Sequence, residues 1–247
     1  MLLGRVRAAT LELTAAAEEI ESVRSGTRGV VSIGTTEVLA HDLLPQVLGA
    51  VNRSFRHIDL DVMVAGKLQL VSAALKNQLD ILLVLDAPIR MGLKTLAEFS
   101  LTSAAVVPIN HPLSQKSWTT LGECATYPLA LSREAETLNG LLNRMSADAR
   151  VKPRIALNSN SYLMMRDAVA QGFVISIQTE LKGSFRLRDP RLAYVPIREQ
   201  LARFSVLSCC VPADRRLSPA ASATAEHIVR TLHAQLGDAG APSSFAT

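Results

Sequence analysis

At 247 residues the chain is long enough to bury a sizeable core, as one large domain or two small ones. Hydrophobic residues at 48% and charged residues at 19% describe an ordinary globular protein. Aromatic residues at 4% argue against a base-stacking surface, and a net charge of +4 without a dense Lys/Arg run argues against a DNA-binding face on this chain.

No apolar run reaches the roughly 18–20 residues that span a bilayer, and the charged N-terminal stretch is no secretory signal. The expected location is the cytoplasm, with no membrane partner. Three cysteines, two of them adjacent at Cys209 and Cys210, make no disulfide framework. Strand neighbours point to opposite faces, so this pair is expected to pack rather than react. The five histidines are scattered, and no Cys-x-x-Cys or His-x-x-x-His occurs. No metal and no cofactor are expected.

The first 25 residues carry a heptad seam: Leu2, Val6, Ala9, Leu13, Ala16, Ile20 and Val23, at alternating spacings of 4 and 3. Ser25-Gly26 stops this helix, because Gly takes the left-handed conformation beyond a helix end. Two readings stand. The seam pairs with a second chain, or it packs on its own domain.

Strands and helices then alternate. Val30–Gly34 is a buried strand, and Asp42–Phe55 a helix with Pro45 in its first turn, where a missing N–H costs little. Leu60–Ala65 is a strand and Leu68–Asn77 a helix. Asp80–Leu85 is a continuous apolar strand, as in a parallel sheet covered on both faces.

A second unit follows with the same rhythm. Its strands are Ser103–Ile109, Pro128–Leu131, Arg154–Leu157, Phe173–Gln178, Leu192–Ile197 and Phe204–Val211. Its helices are Ala135–Ala149, Ser161–Gln171 and Ser218–Leu236, with a loop at His111-Pro112-Leu113. The tail 237–247 is Gly, Ala, Pro and Ser and is expected to be disordered. Two such units predict an α/β protein of two lobes with a cleft between them. Phe204–Val211 and the last helix are expected to return to the first lobe, so that two crossings form a hinge.

The order of segments resembles the LysR-type transcriptional regulators, specifically their linker helix and effector-binding domain. The resemblance rests on Gly29-Val-Val-Ser-Ile-Gly34, Leu43-Leu44-Pro45 and the run from Leu75 through Asp80 to Leu83. It rests also on His111-Pro112-Leu113-Ser114 and Val169-Ala-Gln-Gly172-Phe-Val-Ile-Ser176. It covers residues 2–236. The chain departs from the family pattern at His57-Ile58, at Val174 and at Gln178.

The resemblance implies two Rossmann-like lobes of the type II periplasmic-binding-protein kind, with a hinge of two crossover strands behind an N-terminal linker helix. The implied division is a linker and dimerisation helix at 1–25, lobe I at 28–100 plus 203–236, lobe II at 101–202 and a tail at 237–247. Implied partners are a small-molecule effector, further copies of the chain in a dimer or tetramer, and DNA only through a winged helix-turn-helix domain absent from this chain. The chain is then a fragment of a longer regulator or a natural truncation.

In open α/β sheets ligands bind outside the carboxyl ends of the strands. The candidate ligand residues are therefore Thr35, Thr36 and Glu37 after the first strand, and Gly66 and Lys67 after the second. In the second lobe they are Ser132, Arg133, Asn160 and Ser161, with Gln178 bordering the cleft. Small hydroxyls and amides beside helix N-termini suit a carboxylate, and Arg133 can add a bidentate contact. Each has a plain alternative: Asn160 or Ser161 as an N-cap, Arg133 as a surface residue. Glu37 is odd in an anion pocket; it faces solvent or meets a ligand amine. Asp80 and Asp86 read as structural.

Three functions compete. The first is effector sensing by a transcription factor, in which a ligand shifts the population of lobe arrangements. The second is a solute-binding protein of a transport system, which shares the two-lobed plan. The third is an enzyme, for which no acid–base set, nucleophile elbow or phosphate loop assembles.

Overall fold

A computed structural model of the chain describes residues 28–87, 92–133, 135, 138–140, 142–143, 152–180, 189–198 and 205–237. The heptad stretch 1–25, most of the expected helix Ala135–Ala149 and the tail beyond Gly237 lie outside the described residues.

Strand β1 (Arg28–Thr35) lies between β2 (His57–Val64) and β3 (Ile81–Leu85) and runs parallel to both. The apolar run of β3 is buried from Ile81 to Val84, because helices cover both faces of the sheet. Gly34 lets the Leu79 side chain approach the strand closely: a Cβ there would sit 2.5 Å from Leu79 Cδ1, and that side chain would have to move.

The expected helix Asp42–Phe55 is α2 (Leu44–Ser54), and a separate helix not expected from the sequence, α1 (Glu37–Asp42), precedes it with a break at Leu43. Pro45 is the cause. It has no N–H to give, and its ring would clash with a helical carbonyl four residues back, so a new helix must start there. Helix α3 (Lys67–Leu75) connects β2 to β3.

Strand β4 runs for 16 residues, Leu93–Pro108, where the sequence pattern gave only Ser103–Ile109. Its first half, Leu93–Leu101, pairs antiparallel with β9 (Ser205–Pro212). Its second half pairs antiparallel with β7 (Ile175–Glu180) on one side and β8 (Leu192–Pro196) on the other. The register irregularity between Thr95 and Ala97 breaks the period-two alternation, which hides the first half from pattern reading.

Strands β5 (Leu129–Ser132), β6 (Ile155–Ser159) and β7 are parallel to one another and build the second lobe. The whole order is β2-β1-β3-β9-β4-β7-β5-β6, with β8 on β4. One long strand is thus shared by both lobes, and β9 returns the chain to β3. A short 3-10 turn at Pro112–Gln115 occupies the expected loop at His111-Pro112-Leu113, and helix α4 (Leu121–Cys124), not expected from the sequence, follows it.

Helices α5 (Tyr162–Ala170) and α6 (Pro219–Leu236) start at serines. Ser161 Oγ accepts the Met164 N–H and Ser218 Oγ accepts that of Ala221. Helix α6 packs on β1 and α2, burying Ala221, Ala225, Ile228 and Leu232 against Val31, Ile33, Phe99 and Leu207. Cys209 joins that core while Cys210 faces the other side of the sheet with Leu70, Leu82 and Val84. Burial pushes both thiols up from their ordinary pKa, so they stay protonated and inert, as packing cysteines should. Among the described residues no helix is long and apolar enough to cross a membrane.

Candidate functional site

A cavity of about 340 Å³ opens where the carboxyl ends of the parallel strands of both lobes meet. From the first lobe come Thr36 and Glu37 beyond β1, Gly66 and Lys67 beyond β2, and Asp86 beyond β3. From the second come Ser132 at the end of β5, Asn160 beyond β6 and Gln178 on β7. Val38, Leu85, Met165 and Ile177 supply apolar wall.

The structure brings together Thr36, Glu37, Gly66, Lys67, Ser132, Asn160 and Gln178 from the residues expected on sequence grounds. Thr35 stands off the wall: fully buried, its hydroxyl donates to the Leu83 carbonyl at 2.9 Å and ties β1 to β3. Arg133 is exposed and also off the wall; its backbone N–H donates to the Ser159 carbonyl at 3.2 Å. Ser161 is the α5 N-cap rather than a wall residue.

Glu37 has a role that the sequence reading did not assign. Its Oε2 accepts the Tyr162 backbone N–H at 2.6 Å and its Oε1 accepts the Ser161 hydroxyl at 3.2 Å. A first-lobe carboxylate therefore caps a second-lobe helix, where free N–H groups and the macrodipole favour negative charge. The same helix pair is joined a turn further on. The Tyr162 hydroxyl donates to Asp42 Oδ2, and Arg166 Nη1 lies 3.6 Å from Asp42 Oδ1. Burial, then the Asp42 charge, raises the Tyr162 pKa well above its ordinary value, so the phenol remains a donor.

Asp86 and Tyr162 are wall residues that sequence reasoning missed. Asp86 sits one residue past β3, as Thr36 sits one past β1, so the strand-end rule was available for it. It adopts φ +50°, a left-handed conformation that Asp tolerates, and its Oδ1 accepts the Val206 N–H at 2.8 Å. Asp80 is structural, held by the Ser32 N–H at 2.9 Å and Arg215 at 2.7 Å.

Among the described residues, two buried polar atoms on the wall have no partner, Thr36 Oγ1 and Gln178 Oε1. Among the described residues, the charged wall side chains are one cation, Lys67, and two carboxylates, Glu37 and Asp86. Lys67 is 8% exposed. The arrangement has the character of a small-molecule cavity, apolar in part with a few convergent polar groups. Among the described residues no cluster of His, Cys, Asp and Glu is placed to hold a metal.

The LysR substrate binding domain family matches residues 24–233. The HTH-type transcriptional regulator YybE of Bacillus subtilis (strain 168) is 26% identical over 183 residues, covering 74% of this chain; the chain spans only 63% of that relative. The crystal structure of CbnR, a LysR family transcriptional regulator, superposes with a TM-score of 0.76 at 17% identity, covering 92% of this chain and 78% of that one. The BenM effector binding domain with its effector benzoate superposes with a TM-score of 0.68 at 17% identity, covering 88% and 98%. The fold is thus the type II periplasmic-binding-protein-like fold of LysR effector-binding domains. With the family match extending over most of its length, the chain belongs to the LysR substrate-binding-domain family.

Proposed function

We propose that this chain is the effector-sensing and oligomerisation region of a LysR-type transcriptional regulator. A small organic acid binds in the cavity between the lobes and shifts their relative arrangement. That shift modulates DNA binding by a winged helix-turn-helix domain of the full-length protein. The proposed division is a dimerisation helix at 1–25, lobe I at 28–100 with 203–236, and lobe II at 101–202. The protein acts in the cytoplasm and is not an enzyme.

The observation that carries this reading is the convergence of Thr36, Glu37, Lys67 and Asp86 from one lobe and Ser132, Asn160 and Gln178 from the other on one cavity. The family match favours it over a transport solute-binding protein. Benzoate, the effector of a fold neighbour, is a carboxylate. Because Glu37 occupies the α5 N-terminus, the acid is placed against Lys67 and Thr36 in the first lobe.

A thermal-shift screen of mono- and dicarboxylates tests the reading, since a ligand of the folded state raises the melting temperature by mass action. Lys67→Ala should weaken a hit about tenfold or more, while Arg133→Ala, exposed and off the wall, should leave it unchanged. Hits confined to amines or neutral compounds would refute the acid reading. Acid hits indifferent to Lys67→Ala would refute the placement.

A further inference from the structure

Gln178 lies on β7 opposite Ala104 of β4 and is 8% exposed. Its amide orientation is fixed by a chain of donors. The Ser176 hydroxyl donates to the Ala130 carbonyl at 2.9 Å, so its only proton is committed. Toward Gln178, Ser176 Oγ can then act only as acceptor, and it receives Nε2 at 3.3 Å. Rotating the amide by half a turn would set two acceptors against each other. Oε1 is therefore the open end of the amide, buried on the cavity wall with no donor among the described residues. Such a carbonyl costs stability until a donor reaches it.

Across the cavity Thr36 Oγ1 is also buried without a partner, and a hydroxyl there can donate to an anion beside Lys67. Glu37 and Asp86 stand on the same wall and oppose a second anionic group. The wall thus asks for one acidic group toward the first lobe and one N–H or O–H toward the second.

We propose that the cavity selects carboxylates that also carry a hydroxyl or an ammonium group, and that Gln178 is the residue that reads this donor. The inference rests on the acid-binding reading above. The carboxylate lies against Lys67 and Thr36, the donor reaches Gln178 Oε1, and the ligand spans both lobes. A bare carboxylate leaves Oε1 unpaired, and a dicarboxylate meets Glu37 and Asp86.

Matched acids test it by calorimetric titration of the purified chain. The series are propionate, lactate and alanine; 4-methylpentanoate, its 2-hydroxy acid and leucine; 3-phenylpropionate, 3-phenyllactate and phenylalanine; succinate, malate and aspartate. In at least one series a donor-bearing member should bind about tenfold tighter than its bare partner. Gln178→Leu should bring that ratio to within about twofold. Ser176→Ala should do the same by a different route, because it releases the amide to turn Nε2 toward the ligand. It also serves if Gln178→Leu does not fold. Equal binding of bare and donor-bearing acids overturns this inference alone, as does a preference that survives both variants. Binding of no acid in any series overturns the acid-binding reading and this inference with it.

Discussion

Glu37 and Tyr162, 125 positions apart in sequence, are joined by a 2.6 Å hydrogen bond from the Tyr162 backbone N–H to Glu37 Oε2. The bond crosses the cleft. It fills the helix N-terminus that would otherwise be the natural seat for an effector's carboxylate. The lobes are thereby latched through a carboxylate, and both residues of the latch line the cavity.

Removing the latch should loosen the lobes without dismantling them. Glu37→Ala is expected to cost about 0.5–2 kcal/mol, the range for loss of a helix cap with its charge. Glu37→Gln, which keeps an acceptor oxygen, should cost less. Urea unfolding with an unchanged slope checks both, and small-angle scattering should show a larger radius of gyration for Glu37→Ala.

The second link between the lobes is buried and more demanding. Asp42 serves the Tyr162 hydroxyl and Arg166 together, and Arg166 is 4% exposed. Asp42→Ala removes the acceptor of the Tyr162 hydroxyl and a carboxylate 3.6 Å from the buried Arg166 guanidinium, and should cost about 1–3 kcal/mol. Arg166→Met in the same background should cost less than it does in the wild type, because the Asp42 contact is already gone. A double-mutant cycle by denaturant unfolding measures the coupling, expected near 1–3 kcal/mol. Additive effects would mean that Asp42 and Arg166 act independently.

Much of this was readable in the sequence. Apolar runs marked the parallel strands, and the strand-end rule marked six of the wall residues, with Gln178 added for bordering the cleft. What escaped detection has physical causes. A register irregularity near Leu96 concealed half of β4. Thr36 followed by Glu37 is a helix start of cap and acid, and reading the pair only as ligand groups hid α1. The partners of Glu37 and Asp42 lie more than 100 positions away, and no local pattern encodes such a pairing.

Stability should fall on mild acidification through His111. The ring's Nδ1 accepts the Leu113 N–H at 3.2 Å, which requires the neutral form. Burial lowers the pKa of the folded ring from the ordinary 6.5. The unfolded chain therefore takes up the proton first. The contribution of His111 is complete above pH 6.5 and is lost as pH drops through that value toward the folded pKa. His227, also lowered by burial, adds a slope of the same sign. His111→Asn keeps a capping acceptor without a titrating proton. Its unfolding free energy should vary less between pH 7.5 and 5.5 than that of the wild type, as followed by urea titration at several pH values.

The heptad seam makes the last prediction. Leu2, Val6, Leu13 and Ile20 repeat at the spacing of paired helices, ahead of a domain whose cores include residues of α2, α3, α5 and α6. A seam of that kind is expected to bury itself against a second copy. Replacing both Leu13 and Ile20 with Lys would place two ammonium groups in the apolar contact, where burial without a partner charge is costly. Light scattering should show the wild type as at least a dimer and the double variant at a lower mass. Near-ultraviolet circular dichroism should show both domains folded alike. An unchanged mass would assign the helix to its own domain or the assembly to another surface.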